Sequence, residues 1–292
     1  MKSIIYILIA VLLSGVVVSA FPKLHVNRKQ LVTIQAVNAN SNSNLLYESG
    51  SIIKNRLNDY GLKSFEVSVS STRNTIDITF TDSTDVKEIL PLLISKGKFE
   101  IYETYAKSDV IKLLQKDDQL FSLLNIPSEN TGSENTSAVL GSCKLQNKSQ
   151  LEAYISKQNL SNKNEGFKYL LSEYSNRDGD YLLYLVKHQA AMQKSQISEM
   201  AVEKVPNEPN HYALMIKFNQ FGKTDWANLT KTNIGKSIAM VIDNKVYSAP
   251  RVITEIKNGS CQITRNFTLK EITCLKSLIN NAELPLDFKL IK

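Results

Sequence analysis

Residues 65–81 read FEVSVSSTRNTIDITFT, and apolar and polar side chains alternate on both sides of Arg73-Asn74. Period-two alternation broken by turn residues predicts two antiparallel strands, 65–70 and 75–81, joined as a hairpin. Immediately before it, Leu45, Leu46, Ile52, Ile53, Leu57 and Tyr60 fall near helical spacing, and Gly61 supplies a left-handed stop. A short apolar strand, 31–37, precedes that helix and is broken off by the polar run Asn38-Ala-Asn-Ser-Asn-Ser-Asn44. On the other side of the hairpin, Val86, Ile89, Leu90, Leu93 and Ile94 make the buried stripe of a second helix ending at Gly97, followed by a strand over 98–105. The order strand, helix, strand, strand, helix, strand predicts an α+β fold with a ferredoxin-like split base, two helices covering one face of an antiparallel sheet.

Beyond residue 105 the pattern changes. Residues 108–125 read as helical, 127–149 as a loop rich in Ser, Asn and Thr, and 150–175 as helical fragments, with 181–186 as the one strong strand. The earlier style resumes at 198–205 and 211–218, so 106–196 is expected to be an inserted α+β head subdomain interrupting a base built from 28–105 and 197–292. Ile238–Ile242 is a continuous apolar run of the kind a central strand carries, and Asp243-Asn244 is a two-residue hairpin turn returning through 245–249 to Pro250. Thr268 and Glu271 form a capping box for a helix whose apolar face is Leu269, Ile272, Leu275 and Ile279, and Pro285 releases a last strand, 286–291.

The chain has 292 residues, 42% apolar and 22% charged, enough to bury a core. Lys and Arg number 35 against 28 Asp and Glu, but the excess is diffuse; with one Trp and no basic run, a nucleic-acid footprint is excluded. Residues 4–21 carry no charge, long enough for a helix of roughly 27 Å. Val18-Ser19-Ala20 places small residues where signal peptidase cleaves, so 1–21 is either a cleaved signal peptide or a single membrane anchor. Lys23, Arg28 and Lys29 beyond it disfavour an anchor with its amino end inside. The remainder is expected to form one soluble body across the membrane.

No constellation points to catalysis, a metal or a cofactor. Cys143, Cys261 and Cys274 are widely spaced and lack any Cys or His partner pattern, which suits small buried hydrophobes. His25, His188 and His211 are scattered. Gly222-Lys223-Thr224 and Gly235-Lys236-Ser237 carry the end of a phosphate-binding loop, but Lys217 and Thr230 stand where its first glycine is required. Trp226 is expected in the core.

Trp226-Ala-Asn-Leu-Thr230, the run from Asn233 to Asp243, Val246-Tyr-Ser-Ala-Pro250, Gln262-Ile-Thr-Arg-Asn-Phe-Thr268 and Leu284-Pro285 together resemble the core of the SecD and SecDF protein-export family. Arg56-Leu57-Asn58-Asp59-Tyr60-Gly61 resembles that family's first-helix signature, and Phe99–Glu103 with Thr104-Tyr105 resembles its strand leading into the head. Arg265 departs from the pattern, standing where the family usually has Gly, and the Asn/Ser stretch replaces a Gly-rich segment before the first helix.

The resemblance implies a first periplasmic domain, base plus head, that contacts emerging preproteins outside the Sec channel and is not an enzyme. In the family, proton flow through later membrane helices drives its motion; the chain ends at Lys292 without them, so the resemblance implies scaffold and binding without the motor. Two functions follow. One is a noncatalytic accessory of Sec-dependent export, holding unfolded exported polypeptides and working with the channel or a full-length SecDF. The other is an envelope scaffold that kept the fold without a translocation client. Both place it in the bacterial envelope, anchored at the periplasmic face of the inner membrane or soluble in the periplasm. Tyr181, Leu183 and Leu185 are the client-contact candidates, although a central strand of the head produces the same run.

Overall fold

The computed structural model describes residues 29–38, 42–81, 84–109, 118–126, 137–161 and 166–292. The expectations for 1–21 and His25, and for most of 110–136, lie outside the described residues. In chain order the elements are β1 (Gln30–Ala36), α1 (Ser43–Tyr60), β2 (Phe65–Ser70), β3 (Thr75–Phe80), α2 (Val86–Ile94), β4 (Phe99–Glu103) and α3 (Asp118–Leu123). There follow β5 (Val139–Cys143), α4 (Leu145–Ser161), β6 (Phe167–Ser172), β7 (Tyr181–Lys187), β8 (Met192–Gln193), β9 (Ile197–Lys204) and β10 (Tyr212–Phe218). The chain closes with α5 (Gln220–Thr232), β11 (Ile238–Ile242), β12 (Lys245–Ser248), β13 (Ser260–Phe267), α6 (Leu269–Asn280) and β14 (Phe288–Leu290).

The hairpin β2–β3 forms as its alternation requires, with Phe65 opposite Phe80 and Asn74 at φ 52° in the turn. Its sheet has the order β14-β1-β3-β2. Val32, Ile34 and Ala36 of β1 and Ile76, Ile78 and Phe80 of β3 are all buried, because every second side chain faces the helices. Helix α1 starts on the Asn42 side chain, which accepts from Asn44 N–H at 2.9 Å, and stops at Gly61 with φ 105°. Helices α1, α2 and α6 pack against one another over this face.

One strand is not where the sequence pattern puts it. The strand expected at 98–105 does not complete the first sheet; β14, from the far end of the chain, pairs antiparallel with β1 there, with Ala36 opposite Phe288. The burial of β4 explains why: Phe99, Glu100, Ile101 and Tyr102 are all buried, so both its faces need cover. An edge place beside β1 offers one covered face, which suits β14, where only Phe288 is buried.

Strand β4 instead enters a seven-stranded sheet of order β5-β7-β6-β12-β11-β4-β8. All its pairings are antiparallel except β6 with β12. Past Glu103 the chain bridges back to β7 at Thr104 and Val186, and Tyr105 N–H donates to the Leu185 carbonyl at 2.9 Å. Strands β7, β6, β12, β11 and β4 therefore close into a ring. Its interior holds Tyr102, Leu170, Tyr184, Val186, Ala239, Val241 and Val246, a cluster drawn almost wholly from its own strands. The opposite face of β6 and β7 packs Leu171, Leu183 and Leu185 against α4 through Leu151, Tyr154 and Ile155. A third sheet, β13-β10-β9, lies against α5 and α6.

Two short strands, β5 within 127–149 and β6 within 150–175, are missed by the sequence pattern, and α4 is one helix rather than fragments. VLGSC has a glycine at its centre and FKYLLS ends in an unbroken apolar run, so neither shows a period of two. The ranges read as head and base share the seven-stranded sheet, since β4, β11 and β12 pair with one another and with β6 and β8. The turn joining β11 and β12 is as expected, with Asp243 at φ 50° and Asn244 at φ 62°, the backbone of a type I′ hairpin. Its Asp243 carboxylate also accepts from the N–H groups of Gly97 and Lys98 at 3.0 and 2.9 Å, tying the end of α2 to the sheet.

Candidate functional site

The ring of strands opens at one end into a groove of about 520 Å³, bounded on the other side by β13. Its floor is the inward-facing Leu182, Tyr184 and Val246, because alternate residues of β7 and β12 point into the ring. Its rim carries Arg177, Arg265 and Tyr247. The Arg265 guanidinium lies over the Tyr174 ring at 3.5 Å and near Phe267 at 5.1 Å, and Tyr174 meets the Tyr247 and Phe267 rings edge-on at 5.5 and 5.8 Å. These stacked planes hold the arginine side chain in one orientation. Burial pushes the Tyr184 hydroxyl up to about 12 and raises Tyr174 and Tyr247 further, so all three are neutral donors at neutral pH.

The far end of the ring is polar. Lys168 Nζ donates to the Tyr102 hydroxyl at 2.7 Å and sits 4.2 Å over its ring, and burial lowers the lysine's pKa. Buried Glu100 lies on the same strand and pairs with Lys98 at 2.8 Å. A second groove, about 540 Å³, runs between α4 and β6 beside the β11–β12 turn. Along it, Asn159 accepts from Tyr169 N–H at 2.7 Å and donates to the Tyr169 carbonyl at 2.8 Å, covering the part of β6 that β12 leaves unpaired.

Of the client-contact candidates, Leu183 and Leu185 are interior, 0% and 2% exposed, locked under α4. Tyr181 is half-buried at the edge of the same cluster, with Lys148 Nζ 4.1 Å above its ring. The strand thus has the burial of a central strand, and the side chains that reach a cavity are its alternates, Leu182 and Tyr184. The sequence does not single them out within the run 181–185, because an apolar run on a strand covered on both faces does not reveal which residues face a cavity.

Other motifs resolve into packing. Trp226 is buried, its ring 5.3 Å from Phe218. Gly222 lies in the first turn of α5, capped by Asn219, and a Cβ there would stand 2.5 Å from the Gln196 carbonyl oxygen, so the glycine admits a close contact rather than a phosphate. Cys143, Cys261 and Cys274 are buried free thiols, and His211 pairs with Glu208 at 3.0 Å. Among the described residues no group of His, Cys, Asp or Glu is placed to hold a metal, and no helix is long and apolar enough to cross a membrane.

Comparison with known proteins gives one consistent answer. Residues 169–286, from β6 to the turn after α6, match the family model for the SecDF P1 head subdomain. The protein translocase subunit SecD of Leptotrichia buccalis is 30% identical over 117 residues, 40% of this chain and 27% of that protein. SecD of Rickettsia bellii is 27% identical over 231 residues, 78% of this chain and 43% of that protein. The chain therefore spans less than half the length of these curated relatives. A solved structure titled as a membrane component SecDF that enhances protein export matches 90% of this chain and 98% of its own, at TM-score 0.50 and 13% identity, which shows the fold. This chain is thus similar to the P1 domain of SecD and SecDF, by sequence to its head subdomain over 169–286 and by fold to a SecDF structure over nine-tenths of its length.

Proposed function

We propose that this chain is a noncatalytic accessory of Sec-dependent protein export, acting on the periplasmic side of the membrane and contacting unfolded exported polypeptides. The observation that carries this reading is the joint match, by sequence from β6 to α6 and by fold over nine-tenths of the chain, to a domain of the export machinery. On this reading the four-stranded sheet with α1, α2 and α6 belongs to the base, in the ranges 28–105 and 197–292, and 106–196 to the head, whereas the match to the head family model runs over 169–286 and so takes in β11 and β12 as well. The strand ring then joins the two mechanically, since base strands β4, β11 and β12 complete it. Client contact falls to the head around Tyr181. Leu183 and Leu185, interior here, would meet a client only if α4 lifted from β7.

The test is crosslinking of the exported protein in intact cells, scored for Sec-channel components, full-length SecDF and nascent exported chains. Recovery of any of these above an uncrosslinked control is the expected result. Their absence, while SecDF crosslinks normally in the same cells, would remove the export role. The second reading, an envelope scaffold, would then stand, and it is favoured by the closed packing of α4 over Leu183 and Leu185.

A further inference from the structure

We infer that the mouth of the strand ring is a binding site for a carboxylate side chain of an extended polypeptide, with Arg265 and Arg177 as the anion-binding pair. Four observations converge on it. First, two arginines, Arg177 and Arg265, line the groove and no Asp or Glu does. The carboxylate nearest to Arg265 is Glu271, 3.9 Å from Nη2, beyond direct hydrogen-bonding reach. The other oxygen of Glu271 is committed to capping α6, accepting from Thr268 N–H at 2.8 Å and from its hydroxyl at 2.9 Å.

Second, Arg265 is under-used as a donor. Its Nε is sealed from solvent with no acceptor, and its guanidinium is held by ring contacts rather than by hydrogen bonds. A planar fork already fixed against aromatic faces loses little freedom when a carboxylate arrives. Third, the floor is apolar and aromatic, formed by Leu182, Tyr184 and Val246, so a carboxylate at the rim would have its aliphatic stem received below. Fourth, Asn176, Asn266 and Ser248 also line the groove, and amides and hydroxyls of this kind pair with peptide N–H and C=O groups. Together they fit Glu or Asp within an extended chain better than a free small acid, which would leave the polar walls unpaired.

The assignment deepens the export reading and rests on it for the source of the polypeptide. Its test is a fluorescence-anisotropy titration of the folded periplasmic protein with a labelled extended peptide carrying two Glu residues, and with its Gln-for-Glu counterpart. The acidic peptide is expected to bind at least tenfold more tightly than the neutral one. Arg177→Gln should remove most of that preference at unchanged melting temperature, Arg265→Gln should remove it with a small fall in melting temperature from the lost ring contacts, and Arg265→Lys should restore only part of it. Equal binding of both peptides, insensitive to the two arginines, would overturn the carboxylate site and leave the export reading intact. Binding of neither peptide would overturn the site, with the crosslinking experiment deciding the export reading separately. Displacement of the acidic peptide by millimolar succinate, with no further affinity from the peptide backbone, would overturn the polypeptide assignment in favour of a small dicarboxylate.

Discussion

The buried guanidinium of Arg56 donates from Nη2 to the carbonyl of Ala282, 226 positions away, at 3.0 Å. The same side chain reaches the carbonyls of Leu92, Ser95 and Lys96 at 3.3, 2.6 and 2.6 Å. One residue of the first helix thus closes the end of the second helix and the approach to the last strand. Burial lowers its pKa to about 10, still far above neutrality, so the clamp is charged and its acceptors are neutral carbonyl dipoles. Replacing it takes a donor from four carbonyls, of which only Lys96 keeps another, the Leu284 N–H at 2.9 Å, so Arg56→Met should cost about 3–5 kcal/mol. Urea unfolding checks this, and a loss below about 1 kcal/mol would show that water replaces the guanidinium.

Gly97 makes room for that clamp. It sits at φ 80°, and a Cβ there would stand 2.7 Å from Arg56 Nη2 and 2.8 Å from the Leu278 carbonyl oxygen. Gly97→Ala is expected to destabilise by about 1–3 kcal/mol, combining left-handed strain with the clash. In the Arg56→Met background the penalty should shrink, and a double-mutant cycle measures the coupling.

Asp243 does two jobs, turning the β11–β12 hairpin and accepting from Gly97 and Lys98 N–H. Asp243→Gly keeps the backbone conformation and removes both acceptors, whereas Asn244→Gly keeps the acceptors. The first is predicted to cost about 1–2 kcal/mol and the second less than about 0.5 kcal/mol, by thermal or urea denaturation.

Burial pushes the thiols of Cys261 and Cys274 from 9.0 up to about 12, so in the folded state they stay protonated where the unfolded chain would ionise. Below pH 9 both states hold the protons and the full stability is present. Between pH 9 and 12 the unfolded state alone loses them, and stability falls by about 1.4 kcal/mol per pH unit for each thiol. Buried Tyr102 and half-buried Tyr174 and Tyr247, also shifted upward, add to the same alkaline loss. Urea midpoints at pH 8 and pH 10.5 report it, and the native protein should resist iodoacetamide at pH 8 until denatured.

Trp226 is the only tryptophan, packed on Phe218 with its indole nitrogen sealed from solvent. Its emission should be blue-shifted in the native state and shift to the red in a single transition that coincides with loss of far-ultraviolet circular dichroism. Two separated transitions would mean that the strand ring and the four-stranded sheet unfold independently.

Local signals placed most of the elements. The β2–β3 hairpin, the helix stop at Gly61, the Asp243-Asn244 turn and the Thr268–Glu271 capping box are decided by a few residues each, because backbone sign and capping chemistry act within one turn. The anomaly at Arg265 was also visible in the chain, though not what it faces. Sheet membership was not legible: β4 reads as a partner for β1 but is buried on both faces, a property of what surrounds it. Nor was the groove, whose walls come from residues 172–184, 246–248 and 265–266. Periodicity shows that a strand has two faces, and only the closure of β4 onto β7 at Thr104 and Val186 decides which of them faces a cavity. By itself the sequence determined an α+β chain that resembles a domain of the SecD and SecDF family. The tertiary structure alone turned its strands into a ring with a cationic mouth, because that depends on contacts between residues more than seventy positions apart.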